Sequence, residues 1–256
     1  MLTDSINPLA SASRDCTATA ATASISVVGI AIGLGMPLLS LVMEARGHSP
    51  SMIGLNTAVA GIASIAAAPI ATPLAERFGV VWTMLGMILI GAIAFLGFHF
   101  ADPFWMWFPL RAILHAAITV LFILSEFWIS ISAAPERRGF VLGVYATVLS
   151  LGFALGPWLF SQMGSAGFLP FGVTFAIVML AAIPVAAAWR ESPAIAARGD
   201  ETPSFVSYIW LVPTATAAVL VFGAVETGGF ALFPIYGGQI GYSEADAALL
   251  LSMIGL

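Results

Sequence analysis

Lysine is absent from this chain, and all eight of its Lys/Arg positions are arginine. A P-loop nucleotide site needs its lysine, so that site is excluded. A Schiff-base lysine enzyme is excluded for the same reason. Cysteine is almost absent: Cys16 is the only one. That rules out an internal disulfide and a cysteine-based metal cluster. Charge is scarce as well, at 8% of residues, where a typical soluble domain carries roughly 25%. The net charge of −5 is small and spread over short segments, which gives no basic surface for a nucleic acid. The chain shows no metal-ligand spacing, and no cofactor is expected. Gly164-Ser165-Ala166-Gly167 does not have the G-x-S-x-G spacing of a serine nucleophile, so an enzyme is not expected either.

What is present is apolar length. Hydrophobic residues make up 60% of the chain, and its lipid-facing composition makes the bilayer its first partner. About 20 apolar residues suffice to span a membrane. Seven such runs are predicted: Ala18–Met43, Pro50–Pro73, Val80–Phe100, Pro103–Ala133, Gly139–Met163, Phe168–Ala188 and Trp210–Tyr236. An eighth opens at Ser243, where Ser243-Glu244-Ala245-Asp246 resembles a helix-start capping box. It stops at Leu256, too soon to span. Residues 1–17 read as a polar tail without the basic region of a cleaved signal peptide. Most connections are short. The exception is 189–208, which holds Arg190, Glu191, Pro193, Arg198, Asp200, Glu201 and Pro203 and reads as a linker. The expected domains are a tail over 1–17, a six-helix bundle over 18–188, a linker over 189–208 and the start of a second bundle over 209–256.

Arginine placement predicts orientation, because cytoplasmic loops are enriched in basic residues. With the N-terminus inside, the cytoplasmic segments hold Arg14, Arg77, Arg137, Arg138, Arg190 and Arg198, and the outer loops hold Arg46. The N-terminus is therefore expected in the cytoplasm.

Arg111 lies inside the fourth span, roughly 12 Å from its outer end at 1.5 Å per residue. A charge at that depth costs about 2.5–3.5 kcal/mol on insertion scales, so it should face a cavity or a partner. Arg111, His115, Thr119, Ser125 and Glu126 fall within an arc of roughly 120°. They give the span one polar face. Glu226 in the seventh span is the expected counterpart of Arg111, about 15 Å from the outer surface. Protonation of Glu226 would break the pair and free one helix to move. His115 sits one turn from Arg111 and is a second candidate for proton handling. Glu126 is expected to pair with Arg77, Arg137 or Arg138 as a cytoplasmic gate. Ser26, Gly29, Gly33 and Ser40 put small side chains on one face of the first span, which favours close packing.

The fifth span carries Gly143, Gly152, Gly156 and Pro157 at the spacing G-x8-G-x3-G-P. Interior glycine costs about 1 kcal/mol and interior proline about 3 in an ordinary helix. Membrane helices accept both, because glycine lets a neighbouring backbone approach and neighbours re-satisfy the freed carbonyl. Packing and a bend are expected there. The spacing resembles the fifth-helix motif of antiporters in the major facilitator superfamily. The turn Thr72-Pro73-Leu74-Ala75-Glu76-Arg77-Phe78-Gly79-Val80-Val81 is similar to the family's loop between helices 2 and 3. Arg77 and Gly79 match, Glu76 replaces an aspartate, and Thr72, Val80 and Val81 depart from the pattern. Arg111 matches the family's fourth-helix arginine. Ser125-Glu126-Phe127-Trp128, Arg137-Arg138-Gly139 and the run from Tyr145 to Pro157 are similar to the YcaD-like transporter subgroup of bacterial inner membranes.

The resemblance implies an all-α integral membrane fold, with a six-helix N-terminal bundle and a truncated second bundle. It implies alternating access around helices 1, 4, 7 and 10, with Glu76, Arg77 and Gly79 at a cytoplasmic latch. The expected activity is secondary active transport of a small organic solute, proton-coupled and leaning to efflux, in the inner membrane. The expected ligands are the solute and protons. A second chain supplying the remaining helices is an expected partner. The rival reading is a non-transporting membrane fragment, or a scaffold or sensor of transporter descent.

Overall fold

The computed structural model describes residues 8–133, 136–193 and 211–254. Helices dominate these residues and no strand occurs among them. In chain order the α-helices are α1 (Pro8–Ala45), α2 (Pro50–Phe78), α3 (Val80–Phe100), α4 (Trp107–Ser132), α5 (Arg138–Met163), α6 (Leu169–Leu180), α7 (Ala182–Ala187), α8 (Pro213–Gln239) and α9 (Glu244–Ile254). A 3-10 turn at Phe104–Met106 leads into α4, and another at Trp189–Glu191 follows α7. Among the described residues, seven segments are long and apolar enough to cross a membrane, close to the seven predicted runs. The rest of the predicted linker, with Arg198, Asp200, Glu201 and Pro203, and Trp210 at the predicted start of the seventh run, lie outside the described residues.

The first helix begins at Pro8, ten residues before the predicted Ala18 and inside the predicted tail. Three further boundaries differ from expectation, each for a local reason. The second span does not end at Pro73. It continues through Pro69 and Pro73 to Phe78, as proline-bearing helices do when neighbours satisfy the freed carbonyls. Gly79 then stops it with φ at +83°, a conformation that favours glycine, and its N–H bonds the Ala75 carbonyl at 2.9 Å. Thr83 fixes this turn by donating its hydroxyl to the Gly79 carbonyl at 2.8 Å. The sixth span is not one helix but two. Pro184 cannot donate to the Leu180 carbonyl and its ring crowds that turn, so α6 ends at Leu180 and α7 begins at Ala182. The seventh span runs three residues further than expected, to Gln239. The short α9 begins as its sequence predicts: the Asp246 N–H bonds the Ser243 hydroxyl at 3.2 Å.

α1 is the centre of the bundle, and its most extensive contact is with α5. At Gly156 a Cβ would stand 2.5 Å from the Gly33 carbonyl carbon and 2.6 Å from the Ile30 oxygen. At Gly152 it would stand 2.8 Å from the Ser26 carbonyl oxygen. From the other side, a Cβ on Gly33 would meet the Phe153 oxygen at 2.7 Å. The two backbones therefore touch without intervening side chains. Gly143 takes no part in this: nothing lies within 4 Å of where its Cβ would be, so the expected packing there is not made. Gly143 sits well over two turns before Gly152 and is exposed. α5 continues through Pro157 to Met163.

α2 packs chiefly on α4, and α3 packs on α4 and α6. At the end where α1 meets α2, Arg46 and Trp107 both donate to the Ala101 carbonyl, at 2.6 and 3.0 Å. The Arg46 guanidinium lies over the Trp107 ring at 5.2 Å. These bonds tie the α1–α2 loop and the start of α4 to the end of α3. α8 lies against α1, α2 and α9.

Gly156→Ala should lower the stability of the intact protein in detergent by about 1–3 kcal/mol, the usual range for overpacking. Gly143→Ala should leave it unchanged. Thermal unfolding read by tryptophan fluorescence distinguishes the two. Equal effects at both positions would contradict the backbone contact.

Candidate functional site

The polar residues of α4 differ in what they face. Arg111 is 1% exposed. Its Nε donates to Asn56 Oδ1 at 3.0 Å. Nη1 contacts the Met36 sulfur at 3.9 Å, and the guanidinium lies 5.8 Å from the Phe98 ring centroid. Nη2 and Asn56 Nδ2 have no partner among the described residues. His115 Nδ1 sits 3.1 Å from the Arg111 carbonyl, and Thr119 donates its hydroxyl to the His115 carbonyl at 2.8 Å. The stripe therefore spends part of its hydrogen-bonding capacity on its own helix, one turn back each time.

The expected Arg111–Glu226 pair is not formed; among the described residues no ion pair joins them. Two features explain this. α8 extends to Gln239, which puts Glu226 at its midpoint, about 20 Å from that end, whereas Arg111 is only about 11 Å from Phe104, where the fourth span begins. α8 also packs chiefly on α1, α2 and α9, with no extensive contact to α4. Arg111 takes a neutral partner, Asn56, from α2 instead. Asn56 was not among the predicted site residues, yet a signal existed. It is a lone amide six residues into an apolar helix that starts at the same end as α4, and so stands at nearly the depth of Arg111.

Two cavities adjoin this stripe. The smaller holds about 40 Å³ and is lined by Arg111, His115, Met36, Phe95 and Thr174 among others. The larger holds about 640 Å³. Its walls come from α1, α2, α4, α5 and α8, and include Met36, Thr57, Ser64, His115, Phe153 and Glu226. Arg111 does not reach it. His115 and Met36 separate the two cavities and line both. Glu226 is exposed to this space. A volume of roughly 300–1,000 Å³ suits a small molecule.

The predicted gate residues are not joined to each other. Glu76 and Arg77 are exposed, and among the described residues no ion pair links them. Adjacent helical positions point about 100° apart, so they cannot face one another. Arg77 instead lies over the neighbouring Phe78 ring at 5.3 Å. Glu126 makes no ion pair with Arg77, Arg137 or Arg138. It is about 9 Å inside the end of α4, whereas those arginines stand at the helix ends. Tyr145 of α5 belongs to the same buried cluster as Leu124, Trp128 and Ile129 of α4. Tyr145, Trp128 and Ser125 are buried there, with side-chain polar atoms that lack partners among the described residues.

The sequence profile of the Major Facilitator Superfamily matches residues 21–256. The chain belongs to the major facilitator superfamily. It is a multi-pass membrane protein. Over 222 residues it is 25% identical to the uncharacterized MFS-type transporter YfkF of Bacillus subtilis (strain 168), an alignment that takes in 84% of this chain and 56% of that protein. The fold is also similar to the crystal structure of a bacterial homolog of the human lysosomal transporter Spinster, in an inward-facing and unoccupied conformation. That superposition has a TM-score of 0.69 at 16% identity, and covers 95% of this chain and 60% of the other. The chain thus spans a little over half the length of these relatives.

Asn56→Leu should destabilise the protein by about 1–3 kcal/mol, because Arg111 is left buried without its acceptor. Adding Arg111→Met should recover part of that loss. A double-mutant cycle on unfolding in detergent measures the coupling. Simple addition of the two losses would show that the bond contributes nothing.

Proposed function

We propose that the intact protein is a secondary transporter that moves a small organic solute by alternating access. The observation that supports this most is the 640 Å³ cavity, set at mid-membrane depth between helices of a facilitator fold and carrying a carboxylate on its wall. Glu226 is proposed as the proton-coupling group. A carboxylate that faces the cavity can take up a proton on one side and release it on the other as the cavity changes sides. His115 is the other titratable side chain on that wall. Arg111 acts at one remove, by holding α2 to α4 through Asn56.

The remaining assignments rest on sequence. The fifth-helix motif favours an antiporter and hence efflux. The arginine asymmetry favours a cytoplasmic N-terminus in a bacterial inner membrane. The segments around Glu126 and Tyr145 favour the YcaD-like subgroup. The first six spans are proposed as one bundle and α8 with α9 as the opening of a second, completed by further helices of the same or another chain. Glu76, Arg77 and Gly79 remain proposed as a gate, acting on that second bundle and not on each other.

Glu226→Gln should abolish the pH dependence of solute uptake by the intact protein in proteoliposomes. Unchanged pH dependence would remove Glu226 from the coupling mechanism.

A further inference from the structure

The walls of the large cavity have a one-sided chemistry. Among the described residues, Glu226 and His115 are the ionisable side chains lining it, and no arginine does. The Glu226 carboxylate only accepts hydrogen bonds. The Thr57 hydroxyl has committed its proton to the Ile53 carbonyl at 3.0 Å, so it too faces the cavity as an acceptor. His115 Nδ1 faces the Arg111 carbonyl at 3.1 Å. A carbonyl can only accept, so Nδ1 carries a proton, and in the neutral form of the ring Nε2 is an acceptor. Ser64 and Thr227 are the groups left that can donate. The rest of the wall is apolar, with Ile32, Phe153 and Phe230 presenting large side chains. The nearby positive charge, Arg111, is sealed off at 1% exposure behind His115 and Met36.

An apolar wall whose one charge among the described residues is a carboxylate calls for a ligand that brings hydrogen-bond donors and the opposite charge. We infer that this cavity binds an amphipathic organic amine: a protonated nitrogen at Glu226, and an apolar body against Ile32, Phe153 and Phe230. This rests on the transport reading for its biology, though the binding chemistry stands by itself. A carboxylate ligand would meet Glu226 as a like charge, with no cation among the described lining residues to offset it. A neutral isostere would fill the apolar volume but leave the carboxylate without a partner.

The test is equilibrium binding to the intact protein in lipid nanodiscs with three probes of one skeleton: phenylbutylamine, phenylbutanol and phenylbutyrate. The amine should bind at least about tenfold tighter than the alcohol, the usual size of one charge-assisted hydrogen bond. The carboxylate should bind weakest. In Glu226→Gln the amine should fall to the level of the alcohol. The inference is overturned if phenylbutyrate binds as tightly as the amine, if none of the three binds, or if the preference survives in Glu226→Gln. The wild-type ranking needs no variant, so poor folding of Glu226→Gln cannot rescue the idea. Flux is read separately in proteoliposomes. Amine binding without saturable flux would leave the site and remove the transport reading. Saturable flux of phenylbutyrate in preference to the amine would do the reverse.

Discussion

Four glycines let the backbones of α1 and α5 touch, and the arrangement of the other helices depends on that contact. In a bilayer there is little hydrophobic gain from joining two apolar helices, since lipid tails are as apolar as leucine. Association must come from close van der Waals contact and from hydrogen bonds. Gly29 and Gly33 on α1 and Gly152 and Gly156 on α5 supply the first. Any side chain at Gly156 would run into the α1 main chain. Seated this way, α1 turns Ile32 and Met36 toward the cavity, and α5 turns Phe153 toward it. The large cavity is in this sense the space left open by where α1 is fastened.

Hydrogen bonds supply the second kind of association, at α2–α4. A guanidinium taken out of water is costly, by several kcal/mol even after relaxation. Arg111 meets that cost with one amide, a thioether and an aromatic face. No acid neutralises it among the described residues. The consequence is a separation of charge across the site, with the cation locked inside the helix packing and the carboxylate of Glu226 presented to the cavity. The chemistry offered to a ligand is thus the chemistry of Glu226, although Arg111 is the more prominent residue in the sequence.

The spans were legible because hydropathy alone sets them, and interruptions by glycine, proline and short polar turns mark their ends. The division of the sixth span was not, since Pro184 lies in an unbroken apolar run and only helix geometry makes it a break. The depth of Arg111 could be counted along its helix, but its partner could not be read from charge. Charge points to an acid, whereas the partner is the neutral Asn56. Glu226 is conspicuous as a carboxylate in an apolar run, yet it does not pair with Arg111, because the end of α8 lies at Gln239. Gly152 and Gly156 carried their role in their spacing, whereas Gly143 shares the motif without sharing the contact. Contacts between helices far apart in sequence, such as the wall that His115 and Glu226 share, have no local signature.

The proposed transport requires the space between α1, α2, α4, α5 and α8 to be a solute-accessible cavity and not a lipid-filled groove. The most direct test is thiol labelling in the intact protein with Cys16 and any other native cysteine replaced. Thr227→Cys, on the cavity wall, should react with a membrane-impermeant maleimide in sealed vesicles, from at least one side of the membrane. Ile93→Cys, on an exposed apolar face of α3, should stay unreactive because it faces lipid. An unreactive cysteine at 227 from both sides, or equal reaction at 93 and 227, would contradict the account.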